Sequence, residues 1–246
     1  MITISQSRYI LILLLFYLSL SSGCGGLPEY AQPHLYPGGK TISGDALTYR
    51  ELTQSDFQAT SVPDRLSKYK KKLNAHTAVS IRPVFGAKYI VSKGMIGAQH
   101  IFHGRVENLA FEAVMIPTQS WWNPAVGSKK RDYVLQHEQI HFALMEVAAK
   151  KLTLKVKGDP FVISAYGNSV LDVKRKLREE IGRLLEKTQR LSLESHTDFD
   201  EDTSMRHNPV VQQEWYDEVM AELLSLSVSN FSGSGPEQKG KSEHIQ

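Results

Sequence analysis

Apolar residues change their spacing along this chain, and each change predicts a different element. A continuous apolar run from Tyr9 to Leu20 follows Arg8, and its twelve residues are too few to span a bilayer as a helix. Beyond Asp45 the runs become short and partly alternating. From His76 to Arg82, Val79 and Ile81 alternate with Ala78, Ser80 and Arg82, the period of a strand. Further strands are predicted at Leu47 to Tyr49, Lys88 to Val91, Gly97 to Phe102 and Val106 to Ile116, with His103-Gly104-Arg105 as the turn between the last two. Asp56-Phe57 marks a turn or short helix, and Leu66 to Leu73 is a helical candidate. From about residue 131 to 156 there is no Pro or Gly, and Val134, Met145, Ala148 and Leu152 extend a helical stripe through His137 and His141. Gly158-Asp159-Pro160 ends that helix. Val170, Val173, Leu177, Ile181, Leu184 and Leu191 predict a second, amphipathic helix, and Val211, Trp215, Val219 and Leu223 a third that starts near Pro209. The expected class is α+β: a small antiparallel sheet, then a long helix, then two more.

Composition adds a compartment. Cys24 is the single cysteine, preceded by Ser21-Ser22-Gly23 and followed by Gly25-Gly26, so the start of the chain looks like a bacterial lipoprotein signal cleaved before Cys24 and lipidated on its thiol. Ser21 stands where such signals usually carry leucine, with Leu20 one place further out. The expected organisation is a signal peptide at 1–23, a polar Gly- and Pro-containing tether at 24–44, a folded domain at 45–226 and a disordered tail at 227–246. The bilayer would then be met through the N-terminal lipid, placing the domain in the cell envelope outside the cytoplasm, at the outer membrane where the source has one. A formal net charge of +3 from 29 basic and 26 acidic residues gives no nucleic-acid signature. The densest basic cluster, Lys68 to Lys72, reads as a solvated helix face, with a membrane-facing role as the alternative.

The candidate chemistry lies in the long helix. His137 and His141, one turn apart, project from one face and can converge on one metal ion, while Glu138 sits beside it, able to take a proton from an activated water. That residue set points to Zn2+. A third ligand is sought in the polar stretch from His196 to Asn208. His207 is favoured because Asn208-Pro209 can start a helix and hold the preceding residue, and His196, Asp198 and Asp200 stay open as alternatives, as ligands or as acceptors for an outer imidazole N–H. Glu179 and Glu180 lie among Lys176, Arg178 and Arg183, where surface pairing is the cheaper explanation. The segment Val106 to Ile116 is the expected edge strand for an extended peptide, and Tyr133, Tyr216 and His103 are candidate oxyanion partners. Of the adjacent Trp121 and Trp122, one is expected to pack on the metal helix, and the sharper alternative puts the other in a substrate cleft.

The run Tyr133-Val134-Leu135-Gln136-His137-Glu138-Gln139-Ile140-His141-Phe142 resembles the metal helix of a family of bacterial secreted zinc-dependent proteases, whose motif reads His-Glu-Gln-Gly-His-Phe. Phe199-Asp200-Glu201-Asp202-Thr203, His207, Gln212 or Gln213, and Trp215 resemble that family's second signature, and Leu47-Thr48-Tyr49, Asp56-Phe57 and Ala75-His76-Thr77 its N-terminal part. Ile140 replaces the family's Gly, Ala143 stands where an Asp is usual, and the spacing from Thr203 to His207 is longer than the compact form. The resemblance implies a zincin-like fold, with His137, His141 and His207 as ligands, Glu138 as base and a peptide or protein as substrate, peptidoglycan stem peptides included. The alternative is a non-catalytic envelope lipoprotein whose metal site is structural or vestigial and which binds peptide, glycan or another envelope protein. No Gly-x-Ser-x-Gly elbow or phosphate-binding glycine loop competes with these readings.

Overall fold

Thirty-one consecutive residues without proline, Ser128–Gly158, form the central helix α1, and the rest of the protein is built against it. The computed structural model describes residues 45–159, 161–204 and 207–231. The expected signal peptide, the tether with Cys24, and the tail beyond residue 231 lie outside the described residues. Strands precede α1 in the order β1 (Leu47–Thr48), β2 (Ala75–His76), β3 (Val79–Pro83), β4 (Lys88–Ile96), β5 (Gln99–Glu107), β6 (Phe111–Met115) and β7 (Trp121–Trp122). After α1 come β8 (Ser164–Gly167), α2 (Val170–Thr203) and α3 (Pro209–Phe231). The α+β class and the order of sheet followed by helices are as expected, but the strands form three small antiparallel sheets: β1-β6-β3, β2-β7 and β4-β5-β8. Among the described residues no helix is long and apolar enough to cross a membrane.

The middle of α1 is buried all round, not along one stripe, because the sheet β1-β6-β3 covers one side and α2 and α3 cover the other. Phe142, Met145, Ala149 and Leu152 belong to the core shared with the strands, while Ile140, Ala143, Leu144 and Val147 pack with Phe199, Val219 and Leu223 of α2 and α3. Ala143, where the resembling helices carry Asp, therefore faces an apolar cluster in which a carboxylate would be costly. Three polar side chains spaced by seven residues tie α1 to the strand layer. Gln139 accepts the Leu52 N–H at 2.7 Å, Glu146 the Ala113 N–H at 2.8 Å, and Thr153 the Phe111 N–H at 2.8 Å.

This stripe corrects the expected peptide-binding edge. β1 pairs with β6 only at Val114 and Met115, and the β6 N–H groups beyond it are taken by Glu146 and Thr153. β6 lies between β1 and β3, so Val106 to Ile116 offers no open edge. The expected turn at His103-Gly104-Arg105 is also corrected: these residues sit mid-strand in β5, and the β4-β5 hairpin turns at Gly97-Ala98, where Gly97 has φ +62. Gly104 is small for another reason, since a Cβ there would meet Val173 Cγ1 of α2 at 2.3 Å. Helix α3 begins as predicted, with Asn208 Oδ1 accepting the Val211 N–H and Pro209 in the first turn, and it continues to Phe231, past the predicted limit near Leu226.

Candidate metal centre

Two helices present the site. His137 and His141 stand one turn apart on α1, and facing them His196 and Asp200 stand one turn apart on α2, with Thr203 on the next turn. The stretch from His196 to Thr203, expected between helices, is the C-terminal end of α2; its buried polar face made a helix read as a loop. Asp200 Oδ1 lies 3.1 Å from His137 Nε2 and 3.3 Å from His141 Nε2, and the two nitrogens are 3.2 Å apart. Beneath the imidazoles, the Phe199 ring centres 4.5 Å from that of His137 and 5.1 Å from that of His141. Trp215 of α3 backs Phe199 and donates its Nε1–H to Asp202.

Hydrogen bonds behind the imidazoles define the tautomers that could hold a metal. Thr203 gives its hydroxyl proton to Phe199 O, leaving Oγ1 to accept from His137 Nδ1 at 3.4 Å. His141 Nδ1 lies 3.0 Å from His196 Nδ1. Burial pushes the His196 pKa down to about 3, with the neighbouring His141 adding to the effect, so His196 stays neutral and can accept from His141. With both Nδ1 atoms protonated, both Nε2 lone pairs would face Asp200 Oδ1, and these three acceptor atoms could share a cation. Tetrahedral zinc with bonds of about 2.0 to 2.1 Å requires ligand atoms roughly 3.3 Å apart, the spacing of this triangle. The donor set His137, His141 and Asp200 thus fits a divalent metal, and nitrogen-rich ligation suits zinc.

The electrostatics agree with that charge. Burial by itself would raise the Asp200 pKa, but the two histidines hold it well below the usual carboxylate range. Burial by itself would lower that of His141, but the Asp200 charge, the hydrogen bond to Asp200 and the Glu138 charge together raise it, favouring positive charge on the Nε2 side. Ser204 donates to the same Asp200 oxygen at 2.8 Å. Glu138 is buried beside the triangle and accepts a hydrogen bond from Thr77 Oγ1, contributed by the loop after β2.

Thr77, His137, Glu138, His141, His196, Asp200, Thr203 and Ser204 line one cavity of about 320 Å³, bounded on the strand side by residues 72 to 77 and on the helix side by α1 and α2. The edge strand at the cavity is β2 rather than β6. Of the other sequence candidates, His207 lines the cavity wall with its ring 4.3 Å from that of Tyr133, outside the triangle of ligand atoms. Tyr133 lines the cavity too. Tyr216 and His103 do not: Tyr216 packs in the α1-α3 cluster, and His103 lies on β5 against Tyr166 and Phe161. Asp198 takes no part in the cluster. Glu179 and Glu180 pair with Arg175 and Arg183 on the surface. Trp121 and Trp122 are both buried, Trp122 in the main core against Phe57, and neither reaches the cavity. Thr77 and Thr203 entered the sequence reading only as members of the resembling segments, with no role assigned; the helical spacing of His196, Asp200 and Thr203 was the available signal for α2.

Comparisons with protein-family models, with curated proteins and with solved structures found no match to this chain.

Proposed function

We propose that this protein is a zinc-dependent peptidase of the cell envelope, with His137, His141 and Asp200 as the metal ligands and Glu138 as the proton carrier. The observation that carries the reading is the triangle of three acceptor atoms 3.1 to 3.3 Å apart on the wall of the cavity that Glu138 also lines. A structural zinc is usually closed by four protein ligands, whereas here three converge among the described residues and the cavity adjoins them. Zinc, when bound, supplies a Lewis acid that polarises water or a carbonyl oxygen. The chain's own groups do the rest. Glu138, oriented by Thr77, accepts a proton from the attacking water and returns it to the leaving amine. Thr203 and His196 keep the Nε2 lone pairs of His137 and His141 directed inward. Tyr133, one turn before His137 on α1, and His207 line the same cavity and could donate to a developing oxyanion, Tyr133 by giving up its bond to Thr203 O. The cavity's edge strand β2 supports an extended peptide as the substrate form. The apolar run before Cys24 supports an exported chain tethered to a bilayer by lipid.

The test pairs two substitutions in the purified chain. Glu138→Gln should retain about one zinc per chain and lose hydrolysis of a peptide substrate by at least a hundredfold; Asp200→Ala should lose the zinc itself, while His207→Ala keeps it. Full turnover in the Glu138→Gln protein at normal metal content would refute the mechanism, and zinc retained by Asp200→Ala but lost in His207→Ala would return the third-ligand role to His207.

A further inference from the structure

The cavity wall carries a charge pattern that the metal does not need. Lys72 and Lys130, fifty-eight positions apart in sequence, both line it. Each belongs to a run of three cations: Lys70-Lys71-Lys72 at the end of the helical turn Asp64–Tyr69 and beyond, and Lys129-Lys130-Arg131 in the first turn of α1. The side chains of these six residues are exposed. By contrast, among the described residues the carboxylates on the cavity wall are Glu138 and Asp200, both buried at the candidate metal centre. The helix dipole does not ask for the cations on α1. Cations in the first turn of a helix oppose its dipole, and the first turn of α1 contains no acidic residue to offset them.

We infer that the site selects acidic peptides, with Lys72 and Lys130 as specificity residues that receive carboxylates on the substrate next to the bond presented to Glu138. This rests on the peptidase reading above and extends it to a substrate class. A bound zinc with ligands His137, His141 and Asp200 would carry a net charge of +1, Glu138 would balance it, and Lys72 and Lys130 add positive charge to the wall. A peptide carrying aspartate or glutamate beside its central bond meets complementary charge on entry, and a lysine-rich one meets repulsion. The lysines line a concave wall, which suits a chain entering the cavity better than a flat anionic surface lying across it. The recognised carboxylate can be a side chain or a free C-terminus, and the two sources are separable by amidation.

The decisive measurement is calorimetric binding to the zinc-loaded full chain carrying Glu138→Gln, using hexapeptides of equal length that are acidic and C-terminally amidated, neutral with a free C-terminus, neutral and amidated, or lysine-rich. The acidic peptide should bind at least tenfold tighter than the lysine-rich one, with a gap that narrows as salt is raised. Tighter binding of the neutral peptide only when its C-terminus is free identifies the terminal carboxylate as the recognised group. Lys72→Ala and Lys130→Ala should each weaken acidic-peptide binding about two- to fivefold, and the pair Lys72→Glu and Lys130→Glu should reverse the preference, with zinc content retained. Equal affinities, a preference that survives both lysine replacements, or binding of anionic vesicles in place of acidic peptide would overturn the inference. If acidic peptides bind as expected but the wild-type chain cleaves none of them, the peptidase reading falls and the recognition site stands; cleavage indifferent to charge has the opposite meaning.

Discussion

His196 illustrates how a single residue can orient a candidate metal ligand from outside the ligand triangle. Its Nδ1 faces that of His141, and because its own pKa is held near 3 it stays neutral and can accept there as the Nε2–H tautomer, whose buried Nε2 has no hydrogen-bond partner among the described residues. Remove that acceptor and the buried His141 N–H loses its partner, freeing the ring to rotate or change tautomer. His196→Leu should therefore lower zinc affinity by about ten- to a hundredfold, read by competition with a chromophoric chelator. His196→Asn, whose amide oxygen can occupy the place of Nδ1, should restore most of it. Equal losses in both variants would point to packing instead of tautomer control. At this scale the sequence was legible where chemistry is local: His137, Glu138 and His141 announce themselves by spacing within one helix. Asp200 was among several open candidates, because choosing it over His207 requires knowing that residues 196 to 203 are helical and face α1.

Elements were legible according to how much their partners altered their pattern. α1 and α3 were recognisable from periodicity and breakers, whereas α2 hid its last two turns because the face meeting α1 is polar: Ser192, His196, Asp200 and Thr203 are all buried there. The β5 strand was broken in the reading by Gly104, whose lack of a side chain serves helix packing instead of a turn. A methyl group at Gly104 would lie 2.3 Å from Val173 Cγ1 and 3.0 Å from Leu177 Cδ1, so Gly104→Ala should cost about 1 to 3 kcal/mol and lower the thermal midpoint. The open site of Gly94, with no heavy atom within 4 Å, supplies the control: Gly94→Ala should fall within about 0.5 kcal/mol of wild type. The link from α1 to β6 gives a prediction in pH. Burial raises the Glu146 pKa, despite the Ala113 N–H and Lys150 that favour its charged form. An acid whose folded pKa is raised binds more protons folded than unfolded, so its effect on stability worsens as pH rises from its unfolded value, about 4.3, through the folded one. Glu146→Gln removes that dependence while keeping an acceptor for Ala113. Chemical denaturation between pH 4 and 8 should show the variant gaining on wild type as pH rises; a difference that is flat or falls with pH would contradict the buried-carboxylate account.

On the scale of the whole molecule, the metal centre lies where separate parts of the fold meet. α1 supplies two imidazoles, α2 the carboxylate, α3 the Trp215 ring that supports Phe199, and the loop after β2 the hydroxyl on Glu138. No one of these segments holds the ligand triangle, so a cation that fits it binds the folded chain far better than the unfolded one and must stabilise the fold. At a free zinc concentration a hundred times the dissociation constant the gain is about 2.7 kcal/mol, which for a domain of this size raises the thermal midpoint by about 2 to 4 °C per kcal/mol. The midpoint should thus rise with zinc, return to its starting value with a chelator, and do so equally in wild type and Glu138→Gln, since Glu138 lies outside the ligand triangle. Asp200→Ala should be insensitive to zinc because its two remaining nitrogens belong to one helix and no longer join α1 to α2. A shift of equal size in Asp200→Ala would mean that zinc stabilises the protein from another site, and the link between the two helices would have to be sought elsewhere. Amide exchange locates the effect: added protection should concentrate in the last two turns of α2 and around residues 137 to 141, the segments that a shared ion would join.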